Sequence, residues 1–188
     1  DHKLKELDYK LTMSHEVEFI GYNHPDGRRT YLRSLCFVLQ NAVRELFPDK
    51  VLIIDHSLPS GLYCNICDVR LRDDGRRVPV ALSDADLDAI KGRMRTIVEA
   101  DMPFKKEKMD AEAAEALFEK NSQPDKAELQ KSLGKFICSV YFLDGQADTF
   151  HGPLLPSTGY LKVFDLVPFA EGFCLQFPSE GDFTKVIP

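Results

Sequence analysis

The longest hydrophobic stripe of the chain predicts an amphipathic helix. Its apolar residues recur at steps of three and four: Leu32, Leu35, Cys36, Leu39, Val43 and Leu46. This spacing places them on one face of a helix. Thr30 is the expected N-cap, and Pro48 stops the helix. The preceding residues 24–27, with the sequence His-Pro-Asp-Gly, predict a turn.

Three further helices are predicted downstream. Ser83 begins the second helix, and Asp86 stands three residues later in a capping-box-like arrangement. The buried face of this helix follows the helical period: Leu87, Ile90, Met94, Ile97 and Val98. Asp110 is the expected cap of a third helix over residues 111–120. Pro124 opens a short fourth helix.

Alternating or short apolar runs predict the strands. They fall at residues 16–20, 51–54, 62–69, 78–80, 103–108, 135–143, 160–167 and 172–177. We expect 16–20 to be half-buried, 51–54 to be buried and 103–108 to lie at a sheet edge. Turns are expected at 56–61, 73–75 and 144–145.

The order of these elements predicts the fold class. Strands and helices are mixed without regular β-α-β alternation, which indicates an α+β fold with helices packed on a mainly antiparallel sheet. In the strand at 135–143, alternate side chains are expected to share one face: Phe136, Cys138, Val140 and Phe142.

The composition is that of an ordinary globular protein. Of 188 residues, 44% are hydrophobic and 29% are charged. The formal net charge of −6 provides no overall positive field that would attract nucleic acid. No apolar run is long enough to span a membrane. The five cysteines are scattered, mostly in apolar segments, which favours reduced thiols and a cytoplasmic location.

Two local patterns suggest chemistry but fail a test of spacing. Cys64 and Cys67 look like half a zinc site, yet residues three apart on a strand point to opposite faces. The Gly-Lys pair at residues 134–135 lacks the earlier glycine and the following Ser or Thr of a phosphate-binding loop. His24 and His56 lie in predicted turns and are expected to be solvated.

Several short strings resemble one known family in their order and spacing. They are residues 41–48, 60–63, 82–87, 148–153, 164–166 and 171–172. Residues 33–172 therefore resemble the second additional domain shared by threonyl- and alanyl-tRNA synthetases. Residues 1–21 resemble the tail of the small TGS domain that precedes it in threonyl-tRNA synthetase. The resemblance implies an editing-domain-like α+β fold, with 1–22 ending a TGS-like domain and 23–188 forming the second domain.

The same resemblance implies where an editing site would lie. In that family two histidines on the first helix, and a cysteine and a histidine from a Gly-Pro loop, bind zinc or position a water. The corresponding residues here are Arg33, Phe37, Phe150 and Leu154, with residues 148–154 forming the Gly-Pro loop. An arginine is a fixed cation, and the other three side chains offer no lone pair. Zinc binding and hydrolytic editing are therefore not expected, and no catalytic residue or metal ligand is predicted.

His151 stands one residue from the lost cysteine position, so two interpretations of it are open. It could act as a general base, or it could hydrogen-bond the loop backbone. The cleft that the resemblance implies would be lined by Arg33, Phe37, Tyr63, Phe150, His151 and Leu154. Arg33 could pair with a phosphate while aromatic rings stack on a base. In the alternative interpretation, Phe37 and Phe150 simply fill the old cavity.

Three functional hypotheses follow. Residues 26–35 resemble the variant of this domain at the N-terminus of bacterial uridine-kinase-like proteins, which implies a non-catalytic accessory region that binds a nucleotide or RNA. A kinase domain expected after Pro188 would then need ATP and magnesium, whereas this chain needs no cofactor. The second hypothesis is an aminoacyl-tRNA deacylase (editing) domain of a threonyl-tRNA synthetase-like protein. The third is a protein-interaction or dimerisation module, with the oligomeric state left open.

Overall fold

The computed structural model describes residues 3–72, 75–121, 123–133 and 136–187. Within these ranges there are four α-helices: α1 (Pro25–Leu46), α2 (Asp84–Glu99), α3 (Ala111–Lys120) and α4 (Pro124–Leu133). A short 3-10 helix covers Thr158–Tyr160. None of the described helices combines the length and the apolar character that crossing a bilayer requires.

The strands of the described ranges form two antiparallel sheets. They are β1 (Lys50–Leu58), β2 (Gly61–Leu71), β3 (Arg77–Pro79), β4 (Lys105–Asp110), β5 (Ile137–Leu143), β6 (Gln146–Asp148), β7 (Asp165–Phe169) and β8 (Gly172–Gln176). The larger sheet has the order β1-β2-β8-β7, with β3 paired to β2, and the smaller has the order β4-β5-β6. The α+β prediction is confirmed, although the strands divide between two sheets. Strand β4 lies at an edge, as predicted.

The main core lies between the larger sheet and helices α1 and α2. Alternate residues of β2 face it, namely Leu62, Cys64 and Ile66, because side chains alternate along a strand. Helix α2 contributes the predicted residues: Leu87, Ile90, Met94, Ile97 and Val98. Its capping box between Ser83 and Asp86 is also present, so the prediction of this helix is confirmed.

A second, smaller cluster lies against the β4-β5-β6 sheet. Helix α3 supplies Ala114 and Phe118, and the carboxylate of Asp110 caps this helix by accepting a hydrogen bond from the Ala113 N–H at 2.7 Å. From β5 come Cys138 and Val140, as the alternation predicts. Phe142 is partly buried against the same cluster. The prediction for Phe136 is wrong, because this residue precedes β5 and is 93% exposed.

Helix α1 begins at Pro25, earlier than predicted. Its N-cap is His24 and not Thr30: the Nδ1 atom of His24 accepts a hydrogen bond from the Asp26 N–H at 3.1 Å. Proline suits the first turn of a helix because its fixed φ is helical and its missing N–H would have no partner there. The pattern His-Pro-Asp-Gly therefore starts a helix here and does not make a separate turn.

Other differences concern strands and turns. Residues 16–20 form no strand, and Phe19 is 82% exposed, because no described strand pairs with this backbone. Residues 51–54 do lie in a strand but are not buried, since β1 is an edge of the larger sheet. This strand continues to Leu58, so His56 belongs to a strand and not to a turn.

Of the remaining predictions, one turn is confirmed, one strand begins later than predicted, and others lie outside the described residues. The turn at Asp144 and Gly145 is confirmed, with φ of 48° and 78°. The strand predicted from residue 160 begins only at Asp165, because the 3-10 helix and an extended segment come first. Residues 73–74 of the predicted hairpin turn and the Gly-Lys pair at 134–135 lie outside the described residues. The division into 1–22 and 23–188 stays a prediction.

Candidate functional site

Helix α1 and the Gly-Pro loop are held together by Arg33. Its Nε and Nη2 atoms donate to the carbonyl of Pro153 at 3.1 and 3.0 Å, and Nη2 also donates to the Thr30 hydroxyl at 3.0 Å. Burial lowers the pKa of Arg33, although an arginine stays charged near neutral pH. The Nε and Nη2 groups of the guanidinium are therefore engaged by the protein itself.

Two neighbours complete this junction. The Ser34 hydroxyl donates to the Thr30 carbonyl at 2.8 Å and accepts from the Leu155 N–H at 2.9 Å. Gly152 has a φ of 120°, and a Cβ there would come within 2.9 Å of the Arg33 Nη2 atom. The backbone conformation favours glycine here, and any larger side chain would also have to displace the Arg33 guanidinium.

Phe37 fills the space between α1 and the Gly-Pro loop. Its side chain is fully buried, and its ring centroid lies 6.0 Å from that of Phe104 and 5.3 Å from that of Phe150. Leu154 is buried in the same core. Of the four residues that the resemblance assigns to an editing site, Phe37 and Phe150 are thus in contact, Arg33 is bonded to the Gly-Pro loop, and Leu154 lies in the same core as Phe37.

The other two predicted cleft residues lie elsewhere or point away. Tyr63 occupies the solvent side of β2, where its ring contacts His56 at 5.2 Å and Phe169 at 5.7 Å. Tyr63 is therefore not a neighbour of Phe37, because its strand position alternates with the core-facing Leu62 and Cys64. His151 is exposed on the Gly-Pro loop and forms no hydrogen bond to any residue that the structure describes.

Zinc does not fit the residues at this site. A zinc ion takes nitrogen, sulfur or carboxylate ligands, and Phe37, Phe150 and Leu154 offer none of these. In the described part of the chain, no three His, Cys, Asp or Glu side chains converge as a metal site would need. Burial raises the pKa of the nearby Cys36 thiol to about 12, so this thiol is protonated at neutral pH.

Tyr141 and Glu6 are site residues that the sequence did not indicate. The buried Tyr141 hydroxyl donates to the Glu6 carboxylate and lies 3.3 Å from the Gly152 carbonyl oxygen. Burial, followed by the contact with Glu6, raises the pKa of Tyr141. Lys106 donates to both carboxylate oxygens of Glu6, at 2.9 and 3.0 Å. No local pattern links residues 6, 106 and 141, which only the fold brings together.

A partly buried ion pair lies at the start of the Gly-Pro loop. Lys126 of α4 is paired with Asp148 at the end of β6, and Asp148 also accepts from the Thr149 N–H at 2.6 Å. Burial lowers the pKa of Lys126, and the contact with Asp148 partly opposes this shift. Asp148 was part of a resembling string, whereas Lys126 carried no signal of its own in the sequence.

The described residues line two cavities, of which the smaller borders the Gly-Pro loop. The smaller, of about 380 Å³, lies between residues 4–9 and the β4-β5 surface, next to Phe150 and Gly152. The larger is an open depression of about 800 Å³ at the end of α2, which we call the α2 depression. It is lined by Arg95, Val98, Glu99, Asp101, Gly159, Tyr160, Lys162 and Phe164.

The α2 depression carries mixed charge. The carboxylate of Asp101 is engaged, since it accepts hydrogen bonds from the Ser157 hydroxyl and from the Gly159 N–H. Within the described ranges, no carboxylate forms an ion pair with Arg95 or Lys162. Two cations, the carboxylate of Glu99 and the exposed ring of Tyr160 thus face solvent.

Comparison with known proteins shows clear relatives. The chain is 30% identical over 174 residues to a threonine–tRNA ligase of Halorhodospira halophila, which covers 92% of this chain and 26% of the relative. It is also 30% identical over 184 residues to the threonine–tRNA ligase of Rubrobacter xylanophilus, covering 98% of this chain and 27% of the relative. No family model matches the chain.

These alignments define the relationship and its extent. The chain is homologous over most of its length to one region of threonine–tRNA ligases. It spans about a quarter of the length of these relatives.

Proposed function

We propose, proceeding from the homology to threonine–tRNA ligases, that this chain is an editing-domain-like module that binds RNA but does not hydrolyse aminoacyl-tRNA. The packing of Phe37 is the observation that argues against hydrolysis. Its fully buried ring, between Phe104 and Phe150, fills the space in which an editing site would hold an ester and a water. The resemblance in the sequence implies that an editing site would lie at this junction.

Hydrolysis of an aminoacyl ester needs a group that activates water or binds a metal. Phe37, Phe150 and Leu154 cannot accept a proton or coordinate a metal. Arg33 stays a cation and cannot act as a base, and its Nε and Nη2 atoms are already bonded to Pro153 and Thr30. The residues at the junction therefore support a structural role better than a catalytic one.

The α2 depression supports the RNA-binding part of the proposal. Arg95 and Lys162 provide cations for phosphate contacts, and the ring of Tyr160 is 56% exposed and free to stack on a base. The relatives are ligases of tRNA, so an RNA surface fits the homology. The overall charge of −6 does not attract RNA, so binding would depend on the cations of this patch.

Two measurements test the proposal. A threonine tRNA charged with serine is incubated with stoichiometric protein, and the ester is expected to hydrolyse no faster than in buffer. Binding of the same tRNA is measured by fluorescence anisotropy, and Lys162→Glu is expected to weaken it about fivefold or more at low salt. Lys120→Glu, an equal charge change on exposed α3, serves as the control and should change binding less than about twofold.

The editing hypothesis remains the competing function, because the same homology favours it. It requires a base, and His151 is the exposed candidate on the Gly-Pro loop. Accelerated hydrolysis that His151→Ala abolishes would replace our proposal with an editing deacylase. Absence of tRNA binding at micromolar protein would remove the RNA-binding part.

The relatives described above lend no support to a uridine-kinase setting. A downstream kinase domain, with its ATP and magnesium, therefore stays a prediction from the sequence resemblance alone. The interaction-module hypothesis also stays a prediction.

A further inference from the structure

Residues 3–9, which we call the N-terminal strap, lie against strands β4 and β5. The strap is held there by Glu6, whose carboxylate is bound by Lys106 of β4 and by the hydroxyl of Tyr141 of β5. These partners are 100 and 135 residues away along the chain. Glu6 is therefore a specific tertiary contact of a segment that has no helix or strand of its own.

The strap closes one side of the smaller cavity, of about 380 Å³. This volume lies within the range of small-molecule pockets, roughly 300–1,000 Å³. Its lining combines cations and aromatic rings: Lys5, Lys106, Lys108, Tyr9, Tyr141 and Phe150. The Lys106 Nζ atom lies 5.2 Å from the centroid of the Tyr141 ring. Glu6 is the one carboxylate among the described lining residues, and it lies directly on Lys106.

We propose that this cavity binds a nucleotide-like anion, a phosphate monoester attached to a planar base, and that Glu6 occupies the place of the phosphate. A phosphate presents the same type of acceptor oxygens to the Lys106 ammonium and the Tyr141 hydroxyl as the Glu6 carboxylate does. The base would lie against the rings of Phe150 and Tyr9. The proposal needs neither tRNA binding nor ester chemistry, so it goes beyond the function proposed above.

Glu6 then acts as an internal competitor. The ligand must displace it, so the apparent affinity is reduced by the fraction of molecules in which the strap is closed. The side chains of Glu6 and Lys106 are 22% and 32% exposed, which keeps the contact within reach of solvent and of competing anions. Glu6→Gln removes the charge but keeps the shape, and therefore isolates the competition.

The test is isothermal titration of the full chain with adenosine 5′-monophosphate. Glu6→Gln is expected to bind it about tenfold more tightly than the unchanged protein. Glu16→Gln, which neutralises an exposed carboxylate nearby in the sequence, should bind like the unchanged protein. Adding Lys106→Gln to Glu6→Gln should abolish the gain. Because Lys106 lies on an edge strand, its substitution should not prevent folding. Circular dichroism verifies that the variants are folded.

Further ligands separate the parts of the site. Adenosine and inorganic phosphate should each bind at least about tenfold more weakly than the monophosphate, because each supplies half of the contacts. A short 5′-phosphorylated oligoribonucleotide that binds more tightly than the monophosphate would identify the source as an RNA end. A free monophosphate that binds more tightly would identify a nucleotide.

Two results would overturn the inference. One is equal affinity of Glu6→Gln and the unchanged protein for the monophosphate, including no binding by either at about 10 mM. The other is binding of adenosine as tight as that of the monophosphate. The tRNA-binding experiment uses Lys162, outside this cavity, so either proposal can fail without the other.

Discussion

Arg33 and Pro153 are joined by two hydrogen bonds that end on a single carbonyl oxygen. The Nε and Nη2 atoms of Arg33 lie 3.1 and 3.0 Å from this oxygen, and the two residues are 120 positions apart in the sequence. The contact fixes the Gly-Pro loop on helix α1. Arg33 therefore has a structural role, at a position where the family that this chain resembles carries a histidine.

Replacing Arg33 by lysine should weaken the contact between helix α1 and the Gly-Pro loop. A lysine has one terminal nitrogen and cannot bridge the Pro153 carbonyl and the Thr30 hydroxyl with the same planar geometry. We expect the free energy of unfolding to fall by about 1–2 kcal/mol, measured by urea denaturation. Arg29→Lys is the control: Arg29 is exposed on the same helix, and its change should stay within about 0.5 kcal/mol. Equal effects of the two substitutions would contradict the structural role of Arg33.

Phe37 should be among the most costly residues to truncate. Its side chain is fully buried between two aromatic rings, so Phe37→Ala removes apolar burial and leaves a cavity. We expect a loss of about 3–5 kcal/mol in the free energy of unfolding. Phe136→Ala, at a phenylalanine that is 93% exposed, should cost less than about 0.5 kcal/mol. A small loss for Phe37→Ala would show that the space beside α1 is not filled as described.

Tyr31 should make the free energy of unfolding fall as the pH rises above 10. Its hydroxyl donates to the Val163 carbonyl at 2.8 Å, and burial raises the pKa of Tyr31 from 10.0 to about 12. Because the folded pKa is the higher one, this contribution is complete below pH 10 and is lost as pH rises through 12. Two pKa units correspond to roughly 3 kcal/mol.

The comparison is between the unchanged protein and Tyr31→Phe. Urea denaturation at pH 9 and pH 12 should show that the unchanged protein loses about 2–3 kcal/mol more than Tyr31→Phe over this interval. Tyr160→Phe, at an exposed ring, is the control and should follow the unchanged protein. Parallel curves for the unchanged protein and Tyr31→Phe would mean that the Tyr31 hydroxyl does not titrate within this window.

The same substitution at two helical glycines should have opposite effects. A Cβ at Gly27 in α1 would come within 1.9 Å of the Gly21 carbonyl oxygen, so Gly27→Ala forces the backbone apart. We expect a loss of about 1–3 kcal/mol in unfolding free energy. At Gly92 in α2 nothing lies within 4 Å, and Gly92→Ala should add about 0.5–1 kcal/mol through higher helix propensity. Thermal denaturation of both variants measures the two changes in stability. A Gly27→Ala variant more stable than the unchanged protein would contradict the close contact between Gly27 and the Gly21 carbonyl.

Local signals in the sequence predicted the second and third helices well. Ser83 and Asp86 form the expected capping box, and the side chain of Asp110 caps α3. These features depend on residues within one or two turns, which the sequence displays directly. The start of α1 was missed because the His24-Pro25 pair serves a turn and a helix N-terminus equally well, and the packing of the first turn decides between them.

The candidate site was only partly accessible from the sequence. The resemblance selected Arg33, Phe37, Phe150 and Leu154; the structure places Phe37 against Phe150, bonds Arg33 to the Gly-Pro loop, and buries Leu154 in the main core. It also suggested Tyr63, which lies on the other face of its strand. Strand register decides such placements, because a shift of one residue exchanges the two faces.

What the sequence determined by itself is part of the local structure, above all helices α2 and α3 with their caps, and the side-chain chemistry at four positions, which are one arginine and three hydrocarbon groups. Spacing and side-chain chemistry are properties of the chain and need no fold. Only the tertiary structure decided that Glu6 lies on Lys106 and Tyr141, and that Lys126 pairs with Asp148. Such contacts join distant segments, and they form only after the helices and sheets have packed, because their free energy depends on burial that the core provides.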